Sequence, residues 1–238
     1  MPRSTIRHQL DAIDRRIIAC QRCPRLRDHC RKVASTPRPA YREERYWARP
    51  VPNFADRRSP GPRLMVLGLA PAAHGANRTG RMFTGDRSGD FLFRAMHDAG
   101  FANQPHAAHR DDGLALRDAI ITAAAHCAPP ANKPTADELA NCRPFLDDTF
   151  DALLPRLKVI VCLGRIGHDA ALRLYQRRGF VQRLAQHRFA HAAHHHFPNA
   201  PDLIDSYHPS QQNTFTGRLT PAMLRDVFQQ ARKTIETR

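Results

Sequence analysis

The sequence predicts an α/β fold, a three-layer α/β/α sandwich whose central sheet has four mostly parallel strands. Four short apolar runs have the composition of buried strands, and segments with helical periodicity alternate with them. This alternation is typical of parallel sheets that carry helices on both faces. We expect residues 1–238 to form a single domain, with the α/β core at 63–238 and an N-terminal helix, two cysteines and a long connection at 1–62.

The individual elements follow from apolar spacing and from capping signals. Thr135 and Glu138 form a capping-box pattern, Ser88 is an expected N-cap, and Pro221 suits the first position of a helix. The predicted strands cover residues 63–67, 119–124, 158–163 and 203–207. The predicted helices cover residues 5–19, 88–99, 136 to about 153, about 165–177, and the segment from 221 onward.

The charge balance is strongly basic and indicates a polyanionic partner. Lys and Arg number 37 against 22 acidic residues, which gives a formal charge of +15, and the excess is spread along the whole chain. A basic domain of this kind favours nucleic acid, although a generally Arg-rich composition is the alternative. No apolar run approaches the length of a membrane span, so we expect no membrane partner. The polar, basic start is unlike a signal peptide, and we expect a monomer in the cytoplasm that acts at the nucleoid.

Four cysteines indicate a metal centre. Cys20 and Cys23 form a Cys-x2-Cys pair, and Cys127 and Cys142 follow about a hundred residues later. Thiols in a reducing compartment are poor candidates for disulfides, so a four-thiolate site is the preferred interpretation. The spacing alone accepts either zinc or an iron–sulfur cluster.

Two further cysteines are not predicted to be ligands. Cys162 lies in an apolar run and is expected to be a buried strand residue. Cys30 lies in a charged segment, where it is either a spare surface thiol or an additional ligand.

The loops beyond the strands' carboxyl ends should carry the chemistry, because ligands of open α/β sheets bind at that edge. The loop from Gly68 to Asp86 is rich in small residues and holds Phe83, an aromatic suited to stacking on a flat ring. A second loop places His208 and a proline directly after the last strand. Five histidines between 187 and 196 are either a metal-binding tract or a surface loop or ribbon near DNA, and we expect the latter.

These loops carry a resemblance to a known family. The run Gly-Leu-Ala-Pro-Ala-Ala-His-Gly-Ala-Asn-Arg-Thr-Gly-Arg at 68–81 resembles the first motif of family 5 of the uracil-DNA glycosylase superfamily, and Tyr-His-Pro-Ser at 207–210 resembles its second motif. The four-cysteine pattern is similar to the [4Fe–4S] pattern of families 4 and 5. The resemblance extends over about residues 15–225, and it favours an iron–sulfur cluster, with zinc as the less favoured alternative.

The resemblance implies an activity and a set of site residues. It implies a repair glycosylase that flips a base out of damaged DNA and hydrolyses its glycosidic bond, removing uracil and other deaminated or modified bases and leaving an abasic site. It assigns catalysis to Asp86, Asn132 and His208. The residues expected to bind the substrate base are Gly68, Ala70, Ala72, His74, Asn77, Phe83 and Ala123, and those expected to contact DNA are Arg78, Gln211 and Gln212.

Departures from better-known uracil glycosylases leave alternatives open. Those enzymes have an acidic residue early in the first motif and an asparagine on the second strand, where this chain has Leu69, Ala70 and Ala123. Both departures are similar to family 5, and they predict a substrate range beyond uracil. The alternatives are a non-catalytic iron–sulfur nucleic-acid-binding domain of the same fold and, less favoured, a metal-dependent phosphoesterase using Asp111, Asp112 and the histidines.

Overall fold

The computed structural model describes residues 3–57 and 60–238, with side chains from Ile6 onward. Its sheet has six strands in the order β1-β3-β2-β4-β6-β5, and the central four run parallel. The strands are β1 (Phe54–Ala55), β2 (Leu64–Gly68), β3 (Ala119–Ala123), β4 (Val159–Leu163), β5 (His194–His195) and β6 (Asp202–Ser206). The predicted α/β fold is confirmed, but the number of strands is corrected from four to six.

The two additional strands are antiparallel edge strands of two residues each. Segments so short show no alternation of apolar and polar side chains, so periodicity cannot reveal them. Tertiary pairing with β3 and β6 defines them instead.

The helices include the five predicted from periodicity and three that were not predicted. They are α1 (Arg3–Ile18), α2 (Pro24–Ser35), α3 (Ala76–Thr79), α4 (Arg87–Asp98), α5 (Ala136–Leu153), α6 (Arg165–Arg177), α7 (Gln211–Phe215) and α8 (Pro221–Thr237). The predicted connection at 31–62 therefore begins inside α2. Asp86, rather than Ser88, is the N-cap of α4, while the Thr135 capping box of α5 is present as predicted.

Alternate side chains of the buried strands face two hydrophobic cores, which produces the three layers. Leu64 and Val66 of β2 join the core beneath α4 and α8, and Met65 and Leu67 join the core beneath α5 and α6. Because β2 is covered on both faces, every one of its residues is buried. The carboxyl ends of β2, β3, β4 and β6 consequently share one open edge of the sandwich.

The N-terminal segment packs onto this sandwich. Ile13 and Ile17 of α1 contact Phe145 of α5 in a small separate core, and Arg57 forms an ion pair with Asp14. Within the described residues, the helices lack the combination of length and apolar character that crossing a membrane requires.

Candidate functional site

Two loops from distant parts of the sequence meet at the open edge. Phe83, in the loop after β2, and His208, two residues after β6, have ring centroids 5.9 Å apart at an interplanar angle of 31°. The chain positions differ by more than a hundred residues, so only the parallel order of β2, β4 and β6 brings the rings together. The predicted convergence of the first and second motifs is thus present in the structure.

Glycines fix the position of Phe83. Its backbone has φ +53°, in the left-handed region that non-glycine residues rarely adopt. A methyl group on Gly68 would lie 3.1 Å from the Cζ atom of Phe83, and one on Gly89 would lie 1.9 Å from the Phe83 carbonyl oxygen. Gly68 at the end of β2 therefore leaves room for the Phe83 ring, and Gly89 leaves room for its backbone carbonyl.

Asp86 is both a helix cap and a candidate catalytic group. Its carboxylate accepts a hydrogen bond of 3.0 Å from the backbone N–H of Gly89 at the start of α4. Burial raises the pKa of Asp86 above its ordinary value, although the N–H groups of Gly89 and Ser88 act in the opposite direction. The other oxygen faces Gly75, where an added methyl group would lie only 1.9 Å away.

His208 is half-buried, and the described residues provide no hydrogen-bond partner for its ring. Its backbone carbonyl accepts a hydrogen bond of 2.8 Å from Asn213, which fixes the loop without using the imidazole. Burial lowers the pKa of His208 to about 4. The imidazole is therefore neutral at pH 7, and its N–H remains available to a ligand at the open edge.

Arg78 lies inside the protein rather than on a DNA-facing surface. It donates to the carbonyl oxygens of His74 and Gly85, each at 2.8 Å, and forms an ion pair with Glu44. Only 6% of the residue is exposed. The guanidinium holds the loop after β2 in place, and the expectation that Arg78 contacts DNA finds no support in its position.

Other predicted base-binding residues also hold this loop. The Nδ1 atom of His74 shares a 2.9 Å hydrogen bond with the hydroxyl of Tyr46. Burial lowers the pKa of His74. Asn77 is fully buried and donates to the carbonyl of Ala73 at 3.2 Å. Ala72 contributes its carbonyl to the turn, whereas Ala70 is half-buried beside it.

Ala123 ends β3, and Asn132 lies in the segment that follows it. Ala123 is buried and pairs in register with Gly68, so it borders the Phe83 ring without offering a side-chain hydrogen bond. Asn132 is exposed, with φ +56°, and no described side-chain contact joins it to Asp86 or His208. The catalytic role of Asn132 remains a prediction.

The short helix α7 presents Gln211 and Gln212 to solvent, so their predicted contact with DNA remains open. Its last residue, Phe215, was not singled out from the sequence and is 66% exposed. The guanidinium of Arg87, the residue after Asp86 in the chain, lies 5.0 Å from the centre of the Phe215 ring. The sequence shows an aromatic residue shortly after the His-Pro pair, but it does not show that this side chain is exposed.

The four predicted ligands converge near the N-terminus of α2. Cys23 is the N-cap of α2, Cys142 lies on α5, and both interact electrostatically with Cys20. Cys127, in the loop after β3, interacts with Cys142. Burial, together with the neighbouring thiols, raises the pKa of Cys142 to about 11.

Cys30 is not a surface thiol, which corrects one of the two expectations for it. It is fully buried, packs against Cys127 and lies 3.7 Å from the carbonyl oxygen of Ala128. Nearby, the guanidinium of Arg27 is buried, and its Nε and Nη1 atoms have no hydrogen-bond partner among the described residues. Cys162 is buried in β4, as predicted.

The histidine tract forms part of the sheet edge. His194 and His195 make up β5, and His194 and His196 lie 2.8 and 3.0 Å from the carboxylate oxygens of Asp202. The expected loop or ribbon is thus a ribbon whose side chains are fixed by buried acids on β6.

A parallel sheet with an aromatic ring, a half-buried carboxylate and a neutral imidazole at its carboxyl edge is typical of α/β domains that bind a small molecule or a base at that edge. The family described as the uracil DNA glycosylase superfamily matches residues 55–232. The chain is 45% identical over 223 residues to a type-5 uracil-DNA glycosylase of Thermus thermophilus, covering 94% of this chain and 97% of that one. It is 46% identical over 217 residues to one of Mycobacterium bovis, covering 91% and 78%, and 42% identical over 230 residues to one of Pyrobaculum aerophilum, covering 95% and 94%.

The chain therefore belongs to the uracil DNA glycosylase superfamily, and within it to the type-5 group.

Proposed function

We propose that this protein is a monofunctional DNA glycosylase of base excision repair, which hydrolyses the N-glycosidic bond of uracil and leaves an abasic site. The observation that carries the proposal is the neutral, unpartnered imidazole of His208 beside the Phe83 ring. Membership of the superfamily and the names of the relatives support the same activity.

The chemistry follows from where charge develops. A target base must leave the helical stack to reach the edge of the sheet, and Phe83 offers a flat surface for it. As the glycosidic bond breaks, negative charge grows on the base and positive charge on the sugar. His208 then donates its N–H to the base oxygen, an interaction that strengthens towards the transition state.

Asp86 complements this interaction from the sugar side. Its carboxylate lies in the same loop as Phe83, and one oxygen is not needed by the helix cap. In the ionised form it stabilises the sugar cation or orients the attacking water.

Binding of DNA uses the basic charge and the exposed helix α7. The formal charge of +15 favours phosphate contacts and predicts affinity that falls steeply with salt. Phe215, with Gln211 and Gln212 in the same helix, is positioned to occupy the space left by an extruded base, because an exposed ring stacks on neighbouring bases.

We further propose that Cys20, Cys23, Cys127 and Cys142 hold a [4Fe–4S] cluster. The four-cysteine pattern, which is similar to the [4Fe–4S] pattern of families 4 and 5, favours a cluster over zinc. The unpartnered N–H groups of Arg27 provide the positive charge that a buried anionic cluster needs. The cluster would supply a rigid cross-link between the N-terminal segment and the core, since hydrolysis requires no electron transfer.

The metal assignment is tested by composition. Anaerobically purified protein should be brown and contain about four irons per chain for a four-iron cluster. Cys127→Ser should reduce the iron content sharply, and Cys162→Ser, in β4, should leave it unchanged. A colourless protein with one tightly bound zinc would contradict the cluster.

The substrate range should extend beyond uracil. Ala123 offers no side-chain hydrogen bond at the edge of the site, and sites without buried polar groups discriminate less among ligands. Excision from duplexes containing uracil, hypoxanthine or a modified cytosine tests this range, and activity on uracil alone would refute it.

The proposed activity itself is tested with a uracil-containing duplex in the presence of EDTA, followed by alkali. Strand cleavage at the uracil position is the expected result, and EDTA excludes a metal-dependent phosphoesterase. Binding of the duplex with no abasic sites formed would instead favour a non-catalytic DNA-binding domain.

A further inference from the structure

The far side of β6 carries a cluster of three potential metal ligands that the glycosylase chemistry does not use. His168 of α6, His195 of β5 and Asp205 of β6 present their ligand atoms within 4.8 Å of one another. The Nδ1 atom of His168 lies 2.9 Å from one carboxylate oxygen of Asp205, and the Nε2 atom of His195 lies 3.2 Å from the other. The side chains of His168 and Asp205 are essentially buried.

The backbone fixes the orientation of His168. Its Nε2 atom lies 2.9 Å from the carbonyl oxygen of His187, and a carbonyl can only accept, so this nitrogen carries the proton. Without an ion, Nδ1 donates a hydrogen bond to the carboxylate of Asp205, and a bound metal ion would take the place of that proton. A histidine that donates one ring N–H to a backbone carbonyl and turns the other nitrogen inward has the outer-shell arrangement common to metal ligands.

Asp205 also differs from its neighbour Asp202 in charge compensation. Arg238 lies 2.7 Å from Asp202, so that carboxylate has a permanent cationic partner. Among the described residues, no Arg or Lys forms an ion pair with Asp205, whose side chain is fully buried. A buried carboxylate needs a positive charge beside it, and only the two imidazoles are present.

We propose that His168 Nδ1, His195 Nε2 and a carboxylate oxygen of Asp205 bind one Zn²⁺ ion. Two imidazoles and one carboxylate are a ligand set typical of zinc, whereas Mg²⁺ and Ca²⁺ prefer sites built only from oxygen. Tetrahedral zinc with bonds of about 2.0–2.1 Å requires neighbouring ligand atoms about 3.4 Å apart. The three ligand atoms lie within 4.8 Å of one another, and the side chains would have to turn from their hydrogen bonds to opposite oxygens of Asp205 to face a shared ion.

The ion has a route to this site, and its binding has a structural consequence. The side chain of His195 is 12% exposed at the sheet edge, so an ion would enter from the side of β5. The three ligands join α6, β5 and β6, and Asp205 precedes His208 by three residues in the chain. Zinc would therefore stiffen the strand that carries the proposed catalytic histidine, and ligand binding to the native state raises its stability.

The test uses the full chain, purified anaerobically with its cysteine site loaded and dialysed against a mild chelator. Equilibrium dialysis with Zn²⁺ should give one zinc per chain while the iron content stays constant. Asp205→Asn and His195→Gln should each lose this zinc, and His196→Gln, altered at the adjacent residue bound to Asp202, should keep it. Added Zn²⁺ should raise the melting temperature of the wild type and of His196→Gln, but not of His195→Gln.

Co²⁺ distinguishes this site from the cysteines, because cobalt bound to thiolate gives an intense charge-transfer band that histidine and carboxylate ligands do not produce. One Co²⁺ without that band is expected. If Asp205→Asn does not fold, the zinc content of His195→Gln, a change in the edge strand β5, provides the test instead. Wild-type protein that binds no zinc, a His195→Gln variant that binds zinc as the wild type does, or uptake only with loss of iron would each overturn the proposal.

Discussion

Two groups of histidines border β6, and they differ in whether a carboxylate faces the imidazole ring. His208, beyond the carboxyl end of the strand, has an aromatic neighbour and no carboxylate partner among the residues that the structure describes, and burial lowers its pKa to about 4. His168 and His195, beside the strand, both face the buried Asp205. Asp205, the acid of the second group, precedes His208 by three residues in the chain.

This difference shows how partners, more than residue type, determine what a histidine does. Desolvation without a partner gives a neutral donor suited to an anionic base. A buried carboxylate instead holds the imidazole in one orientation and favours a cation between them.

Loss of the unpartnered imidazole should have the largest effect. His208→Ala should slow single-turnover uracil excision by roughly 10²–10³-fold, as removal of one transition-state donor typically does. DNA affinity and iron content should remain close to those of the wild type. His196→Gln is the matched control, and its excision rate should be unchanged because its partner Asp202 retains Arg238. A folded His208→Ala protein that cleaves normally would remove His208 from the mechanism.

The pH dependence of excision should reflect a neutral histidine and an ionised acid. Burial raises the pKa of Asp86, and burial lowers that of His208 to about 4, so both groups are in their active forms above those values. The single-turnover rate should be level through pH 6.5, where an ordinary histidine titrates, and fall in acid as Asp86 is protonated. In Asp86→Asn the remaining rate should lose this acidic fall down to about the pKa of His208. A rate of the Asp86→Asn variant that changes several-fold around pH 6.5 would contradict the neutral His208.

The smallest of these effects should come from the exposed ring of α7. Phe215→Ala should weaken binding of damaged duplex about tenfold, the lower part of the range for base–aromatic stacking. Ile166→Ala is the comparison, since Ile166 is the other large apolar side chain exposed in the described chain, at 37%. Equal affinities for the two variants would assign α7 no role in DNA binding.

Sequence patterns predicted the four parallel strands and five helices because each spans enough residues for its periodicity to appear. They missed β1 and β5, of two residues each, the short helices α3 and α7, which depend on tertiary contacts, and the 12-residue helix α2. Phe83 and His208 could be paired in advance because both follow parallel strands. The buried position of Arg78 could not be predicted, because it depends on an ion pair with the distant Glu44. The burial of Cys30 could not be predicted either, because it depends on packing against the distant Cys127.

The charge state of His208 is the central claim, and a titration of the protein with labelled histidine measures it most directly. Nuclear magnetic resonance of the His208 ring should give a pKa of about 4, with the neutral form throughout the range of excision activity. A pKa at or above the ordinary value of about 6.5 would make the ring largely charged in mild acid and would contradict a neutral hydrogen-bond donor at this edge of the sheet.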